Sequence, residues 1–231
     1  MAIYITGDTH GEFRRIENFC VQQNTSQRDT MIILGDAGIN YYQNKRDIRM
    51  KEYLSNLPIT LFCIHGNHEI RPNKLICYDT VNWFGGLAYQ EITYPNIIFA
   101  QDGVVYDIGG YKTFVCGGAY SVDKFYRLER GFNWFPDEQP NDRIKTLCEQ
   151  RLDLAAWNVD RVLTHTCPYK YIPREMFLPG VDQSTVDNST EGWLDKLEDK
   201  LNYDRWYCGH YHTDKSIDKI QFLFKDVISW M

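Results

Sequence analysis

Short apolar runs that end abruptly in polar residues recur along the chain. Runs of this length that are bounded by glycine or a polar turn are typical of buried strands. Five of them are AIYIT, MIIL, TLFCI, DRVLT and RWYC, and they end at Gly7-Asp8, Gly35-Asp36, His65-Gly66-Asn67-His68, His165 and Gly209-His210. Each predicted strand therefore carries an aspartate, asparagine or histidine at its carboxyl end.

Apolar residues at helical spacing separate the first three strands, which predicts two helices. The apolar positions are Phe13, Ile16, Phe19 and Cys20 in the first helix and Ile48, Tyr53, Leu54 and Leu57 in the second. Strands and helices alternating over residues 2–64 indicate βαβ units and a parallel sheet.

The middle of the chain changes character. Closely spaced apolar runs at 97–100, 103–108 and 112–118 predict antiparallel strands. Further along, the pattern predicts helices at 141–157 and 191–201, a long loop at 166–189, and closing strands in IQFLF and VISW. We therefore expect an α/β fold with two sheets between helices. No repeat or linker interrupts the pattern, so a single domain over residues 1–231 is expected.

Composition limits the compartment and the partners. The chain is 43% hydrophobic, its net charge is -6, and no apolar run approaches the ~20 residues of a membrane helix. The acidic balance disfavours an extended nucleic-acid partner. Seven dispersed cysteines without a C-x-x-C pair favour free buried thiols, and the start MAIYITGD lacks the features of a signal peptide. We expect a cytoplasmic protein without membrane contacts.

The polar strand ends predict one metal-binding rim. In open α/β sheets, ligands bind beyond the carboxyl ends of the strands. Five of the six histidines lie at or just after these ends, and His210 and His212, two residues apart, can point to the same side. Carboxylate, imidazole and amide donors suit Mn, Fe and Zn. Two such ions about 3.5–4 Å apart can activate water and neutralise a phosphate ester.

Five ordered motifs resemble the signature of the calcineurin-like metallophosphoesterases. They are Asp8-Thr9-His10-Gly11, Gly35-Asp36, Gly66-Asn67-His68-Glu69, His165 and Gly209-His210-Tyr211-His212. The resemblance spans residues 8 to 212 and implies a four-layer α/β/β/α sandwich, with two mixed sheets flanked by helices.

The resemblance also implies two divalent metal ions, with manganese first and iron or zinc as alternatives. Asp8, His10 and His212 would hold the first ion, and Asp36 would bridge the two. The second ion would be held by Asn67, His165 and His210. His68 and the bridging Asp36 would be the catalytic residues, with His68 protonating the leaving group or stabilising the transition state.

One position departs from the family pattern. Many members carry an acidic residue three positions after the bridging aspartate, and it orients the catalytic histidine. Ile39 occupies that position here, so either another carboxylate positions His68 or its acid role is weaker. The arginine pair of protein Ser/Thr phosphatases is replaced by Asn40 and His65, which disfavours protein phosphatase activity.

Basic residues near the motifs are candidate substrate contacts. Lys124 and Arg127 follow the run that ends in Gly117-Gly118, and Arg71 lies two residues beyond Glu69. Such side chains can bind a phosphate group that the metals do not reach, or they can form a solvated charged face.

These observations predict a metal-dependent phosphoric ester hydrolase. In the leading hypothesis a metal-bound hydroxide attacks a phosphomonoester or phosphodiester in line. The substrate would be a phosphorylated small molecule, a nucleotide or a phosphopeptide. The alternative enzymes are a nuclease or nucleic-acid end-processing phosphatase and a nucleotide pyrophosphohydrolase. The alternative outside catalysis is a metal-binding interaction module on the same fold.

Overall fold

Helices and strands alternate over most of the chain. The computed structural model describes residues 1–177 and 179–230. In this part of the chain the α-helices are α1 (Arg14–Gln23), α2 (Lys45–Ser55), α3 (Lys124–Arg130), α4 (Asp142–Leu154) and α5 (Ser189–Glu198). The strands are β1 (Ile3–Thr6), β2 (Thr30–Ile33), β3 (Thr60–Cys63), β4 (Asp79–Trp83), β5 (Gly86–Gln90), β6 (Ile97–Ala100), β7 (Val105–Ile108), β8 (Tyr111–Cys116), β9 (Arg161–Thr164), β10 (Arg205–Cys208), β11 (Lys215–Ile217), β12 (Ile220–Phe222) and β13 (Val227–Ser229).

The strands form two mixed sheets. The first has the order β13-β1-β2-β3-β6-β5-β4, and the second has the order β11-β12-β10-β9-β8-β7. Strands β1, β2, β3 and β6 run parallel in the first sheet, and β8, β9, β10 and β12 run parallel in the second. The parallel sheet expected over residues 2–64 is thus confirmed. Each sheet has antiparallel strands at its edges.

Alternating side chains build the layers of the fold. In β2, Ile32 faces the second sheet, whereas Met31 and Ile33 face the helices α1 and α2. The interior between the sheets joins Ile5, Ile32 and Phe62 with Val115, Leu163 and Tyr207. A third cluster packs α4 and α5 against the outer face of the second sheet. The expected α/β/β/α sandwich is therefore confirmed, and its central strands are buried on both faces, as parallel strands usually are.

Local sequence signals explain where two of the helices begin. The side chain of Asn44 accepts a hydrogen bond from the Arg46 amide at the start of α2, and Asn141 does the same for Ile144 at the start of α4. Asparagine is among the preferred helix N-caps because its side chain satisfies an amide that has no partner within the helix. The predicted helix at 141–157 is found as the shorter α4, and the one predicted at 191–201 is found as α5, which begins two residues earlier and ends three residues earlier.

The middle strands pair differently from the expectation. We expected the runs at 97–100, 103–108 and 112–118 to be antiparallel neighbours. Only β7 and β8 form such a hairpin, because β6 lies in the other sheet, parallel to β3 and antiparallel to β5. The hairpin of β4 and β5 was not predicted, and its outer strand β4 is largely exposed.

No α-helix in the described part of the chain is long and apolar enough to cross a membrane.

The layer between the sheets provides a stability test. Ile32 is fully buried there, whereas Ile92 lies in a loop and is 86% exposed. Ile32→Ala should lower the free energy of unfolding by about 2–5 kcal/mol, because it removes buried methyl groups and leaves a cavity. Ile92→Ala should change it by less than about 0.5 kcal/mol. Urea denaturation measures both values, and equal losses would contradict the packing described above.

Candidate metal centre

The polar residues that follow five strands meet at one rim between the two sheets. Asp8, Asp36 and Asn67 come from loops after β1, β2 and β3 of the first sheet, and His165 and His210 follow β9 and β10 of the second. A cavity of about 320 Å³ opens at this rim, and its walls include His10, Asp36, Asn67, His68, His210 and His212. The carboxyl-end rim expected from the sequence is therefore present.

Asp8 and two histidines form the first group of candidate metal ligands. The carboxylate Oδ2 of Asp8 lies 3.4 Å from His212 Nε2 and 3.7 Å from His10 Nε2. The two imidazole nitrogens are 2.9 Å apart. These three side chains lie close enough together to hold one metal ion.

Asp36 lies at the centre of the remaining candidate metal ligands. Its Oδ2 is 3.8 Å from His10 Nδ1 and 3.8 Å from His68 Nδ1, whereas its Oδ1 is 3.6 Å from His165 Nε2. Asn67 is brought to the same place, since its Oδ1 lies 2.9 Å from His165 Nε2. Two further donor groups, Asp8 with Asp36 and His165, and Asp36 with His10 and His68, have the spacing of a metal site.

His210 reaches the same cavity from the second sheet. Its ring centroid lies 5.0 Å from that of His165. Burial, followed by the neighbouring His165, lowers the pKa of His210 to about 3, so this imidazole is neutral at physiological pH. A neutral imidazole is the form that binds a metal ion.

The two aspartates place buried negative charge at this rim. Asp8 is 1% exposed and Asp36 is 2% exposed. Burial opposes ionisation of both groups, but the nearby histidines outweigh it and lower both pKa values below the usual aspartate value. Burial likewise opposes the charged form of His165, yet Asp36 and Asp8 raise its pKa to about 9. The aspartates therefore draw positive charge to the site, and a cation that binds at His165 would replace the proton on its Nε2.

The donor set fits a divalent cation. The Oδ2 atom of Asp8 is buried and makes no conventional hydrogen bond among the described residues, and the ring nitrogens of His212 and His10 lie 3.4 Å and 3.7 Å from it. Contacts of this length compensate a buried carboxylate oxygen incompletely, and a bound cation would supply the rest. Carboxylate, imidazole and amide oxygen together are a suitable set for Mn, Fe or Zn.

Hydrogen bonds hold the donor loops together. The Asp36 carboxylate accepts a hydrogen bond from the His68 amide, and its carbonyl accepts one from the His10 amide. Asp8 Oδ1 accepts from the His210 amide, which joins the two sheets. The Nδ1–H of His165 donates to the Leu34 carbonyl, so that its Nε2 faces the donors.

The backbone of the site has unusual conformations. His10, Asp36, His210 and His212 have φ angles of 48°, 48°, 65° and 50°. Side chains other than glycine rarely adopt this left-handed region, and each instance costs of order 1–3 kcal/mol. Such strain is concentrated at functional sites in proteins, which agrees with the placement of these four residues.

Two glycines of the motifs are required by close approach. A Cβ atom on Gly66 would lie 2.1 Å from the Asp36 amide nitrogen, and one on Gly209 would lie 2.2 Å from Asp8 Oδ1. Any side chain at either position would displace an aspartate. Glycine is therefore part of how the motifs bring the carboxylates into the site.

The surroundings of His68 explain how it is held without an acid at position 39. Ile39 is fully buried in the core under α1 and α2. Two residues of another segment contact the His68 ring instead. Arg127 Nη2 lies 2.6 Å from His68 Nδ1, and Asp123 Oδ1 lies 3.8 Å from His68 Nε2. Arg127 and Asp123 are themselves joined by a 2.7 Å ion pair. Sequence reasoning missed Asp123, although its spacing of four from Arg127 was a usable signal.

The candidate substrate contacts lie in different places. Arg127 lies beside His68, whereas Arg71 is buried, forms an ion pair with Asp102 and donates to the Asp137 carbonyl. Lys124 Nζ lies 4.2 Å from the centre of the Trp134 ring. The candidate metal ligands and His68 together are called the donor cluster, and its members are Asp8, His10, Asp36, Asn67, His68, His165, His210 and His212. Among the three basic residues, only Arg127 contacts a member of this cluster in the described structure. Glu69 accepts hydrogen bonds from the Gly38 and Gly66 amides, which supports the donor loops from behind.

Comparisons with known proteins identify a family and a similar fold. The family model "Calcineurin-like phosphoesterase" matches residues 1–214. The fold is similar to the crystal structure of TT1561 from Thermus thermophilus, with a TM-score of 0.51 and 12% identity, covering 99% of this chain and 97% of that one. At this identity the likeness supports the fold alone. No curated protein sequence matches the chain.

The donor cluster predicts a metal-dependent gain in stability. Added Mn²⁺ should raise the melting temperature of chelator-treated protein, because a ligand that binds only the folded state stabilises it by about 2.7 kcal/mol at 100 times its Kd. Asp36→Asn should lose most of this shift. Asp199→Asn, an exposed aspartate paired with Lys170, should keep it. An equal shift in all three proteins, measured by thermal denaturation, would place the metal elsewhere.

Proposed function

Since the chain belongs to the calcineurin-like phosphoesterase family, we propose that it is a two-metal hydrolase of phosphomonoesters or phosphodiesters. The observation that carries this proposal is the position of Asp36. Its two carboxylate oxygens face different donors, Oδ2 towards His10 and Oδ1 towards His165. A single aspartate placed between two groups of donors is what a shared ligand of two cations requires.

The same geometry supports a division of the ligands. Asp8, His10 and His212 would hold one cation, and Asn67, His165 and His210 would hold the other, with Asp36 shared. When bound, two divalent cations acidify a water molecule and neutralise phosphate oxygens. We propose manganese as the metal, with iron or zinc as alternatives that the same donors suit.

The protein's own residues prepare the site for this chemistry. The hydrogen bond from His165 Nδ1 to the Leu34 carbonyl fixes the direction of the opposite ring nitrogen. The amide of Asn67 donates to Ser121 Oγ at 2.9 Å, which leaves its carbonyl oxygen facing His165. Ligands held in this way lose little freedom on binding a cation, which favours a defined geometry at the phosphorus atom.

His68 and Arg127 are proposed to act on the phosphate group and the leaving group. Burial lowers the pKa of His68, and the Asp36 charge partly offsets that effect. Arg127 keeps its guanidinium beside this ring through contacts with Asp123 and the Asn133 carbonyl. We propose that Arg127 binds a phosphate oxygen when substrate is present, while His68 in its protonated form donates a proton to the departing oxygen and becomes neutral, the form that its burial favours.

The ligand assignment can be tested by turnover. The manganese-loaded protein should hydrolyse p-nitrophenyl phosphate or its bis ester, and Asp36→Asn and His210→Ala should each lower kcat/KM by roughly 100-fold or more, because both remove proposed cation ligands. Asp199→Asn is the matched control and should retain the wild-type rate. Steady-state kinetics, with circular dichroism to show folding, measures these effects.

Two results would contradict the proposal in different ways. Wild-type rates in both variants would show that the ligands are misassigned. Metal-loaded wild type that turns over none of a panel of phosphate mono- and diesters would instead favour an interaction module that binds metal without catalysis.

The role of Arg127 predicts a difference between ester types. A monoester carries more negative charge on its phosphate oxygens than a diester, so Arg127→Ala should lower kcat/KM for the monoester about tenfold more than for the diester. Arg130→Ala is the control, since Arg130 belongs to the same helix but is exposed and lies over the Tyr126 ring. Equal losses for both esters would indicate that Arg127 only supports the fold around His68.

A further inference from the structure

The cavity that contains the donor cluster extends over an apolar wall. Besides the polar residues described above, it is lined by Tyr120, Ile172, Phe177, Val181 and Val186, among others. Its volume of about 320 Å³ is at the lower end of the range of small-molecule sites. Under the proposed function, a phosphate at the donor cluster would leave room in this cavity for a compact, largely apolar organic group.

One acidic side chain lines this cavity away from the donor cluster. Glu191, in the first turn of α5, is 3% exposed. Its Oε1 accepts a hydrogen bond of 2.8 Å from Thr166 Oγ1. Its Oε2 is buried and has no hydrogen-bond partner among the described residues. A buried carboxylate oxygen without a partner is costly, and native proteins rarely retain one without a reason.

The charges around Glu191 do not compensate this carboxylate. Lys145 and Asp187 are the charged groups that influence it, with opposite signs, and the hydroxyl of Thr166 provides its hydrogen bond. Burial raises the pKa of Glu191 to about 7, and Asp187 adds to the increase. Lys145 influences Glu191 without forming an ion pair with it among residues 1–177 and 179–230. When Glu191 is ionised, its Oε2 is therefore free to accept a hydrogen bond from a donor in the cavity.

We propose that Glu191 is a specificity residue that accepts a hydrogen bond from the organic part of the substrate. The substrate class is then a small phosphate ester whose compact apolar group carries one N–H or O–H donor. This inference rests on the proposed function, because it places the phosphate at the donor cluster. A site built around a buried acceptor discriminates strongly against analogues that lack the donor, since they leave the acceptor unpaired.

A purely structural role for Glu191 leads to different expectations. Thr166 follows His165 directly, and its hydroxyl also lies 3.2 Å from the Tyr211 hydroxyl, so Glu191 could serve only to hold this segment. That role uses Oε1 alone, and the amide oxygen of a glutamine would fulfil it equally well. The role proposed here needs Oε2 as an acceptor, which the NH₂ group of a glutamine cannot replace.

Matched phenyl phosphates separate the two roles. Ethyl-, hydroxymethyl- and aminomethyl-substituted esters have nearly the same size but carry no donor, a neutral donor and a cationic donor. In the manganese-loaded wild type we expect kcat/KM for at least one donor ester to exceed that of the ethyl ester roughly 10- to 100-fold, the value of a hydrogen bond to a charged group. The larger of the two preferences identifies the donor as hydroxyl or ammonium.

Variants test whether Glu191 causes this preference. In Glu191→Leu the ratio of the donor ester to the ethyl ester should fall to about one, and in Glu191→Gln an ammonium preference should be lost. Glu198→Gln is the matched control and should keep the wild-type ratio, because Glu198 lies on the same helix but bonds to Tyr203 and Lys170. Ratios, unlike absolute rates, are not changed by a general loss of folded enzyme.

The outcomes for the substrate class and for the proposed function are distinct. Equal kcat/KM for all three esters in the wild type, or an unchanged donor preference in Glu191→Leu, would overturn the specificity role while leaving the hydrolase intact. An absence of turnover for all three esters, and for p-nitrophenyl phosphate, would reject the proposed function itself.

The stability of Glu191→Gln provides an independent arm of the test. The folded pKa of about 7 lies above the ordinary value of 4.5, so the folded state binds the proton more tightly and this group's contribution to stability declines from pH 4.5 to 7. The melting temperature of Glu191→Gln relative to wild type should therefore rise over the same interval. A difference in melting temperature that stays constant with pH would show that other groups already compensate the buried carboxylate.

Discussion

The burial of two carboxylates where the two sheets meet is the constraint on which the site depends. Asp8 and Asp36 are almost inaccessible to water, and each accepts hydrogen bonds from loops that follow other strands. The bond from the His210 amide to Asp8 crosses from one sheet to the other, as does the bond from His165 to the Leu34 carbonyl. The buried aspartates remain ionised only if the histidines lie close to them. The histidines reach that position only when the two sheets pack together, so charge attraction and loop geometry require the same arrangement.

Much of this arrangement was predictable, because the position of a residue along a strand determines where it lies in the sheet. Parallel strands place their carboxyl ends on one edge, so a polar residue after each apolar run marks that edge. Asp8, Asp36 and His165 were found in this way, and the layers of the sandwich followed from the same runs. Sequence periodicity was sufficient here because the central strands are buried on both faces and their composition is nearly uniform.

The features that were not predicted depend on contacts between distant segments. Strand β4 is mostly exposed and lacks a continuous apolar run, so the hairpin with β5 gave no clear pattern. Arg71 and Arg127 looked alike in sequence, but their partners differ. Arg71 pairs with Asp102, thirty-one positions later in the chain, whereas Arg127 contacts His68, fifty-nine positions earlier. Glu191 belongs to no recognisable sequence motif. Its importance comes from burial beside a cavity, which is a property of the packed chain.

The left-handed backbone at His10, Asp36, His210 and His212 has a consequence for how the proposed metal centre would take up a cation. Strained conformations persist only where the surrounding fold enforces them, so the free energy of folding maintains these four residues in place. A pocket assembled by the chain itself would present a coordination sphere whose geometry and ligand types are already set before an ion arrives. Among divalent ions that fit this geometry, their relative abundance in the surroundings would then decide which one is bound.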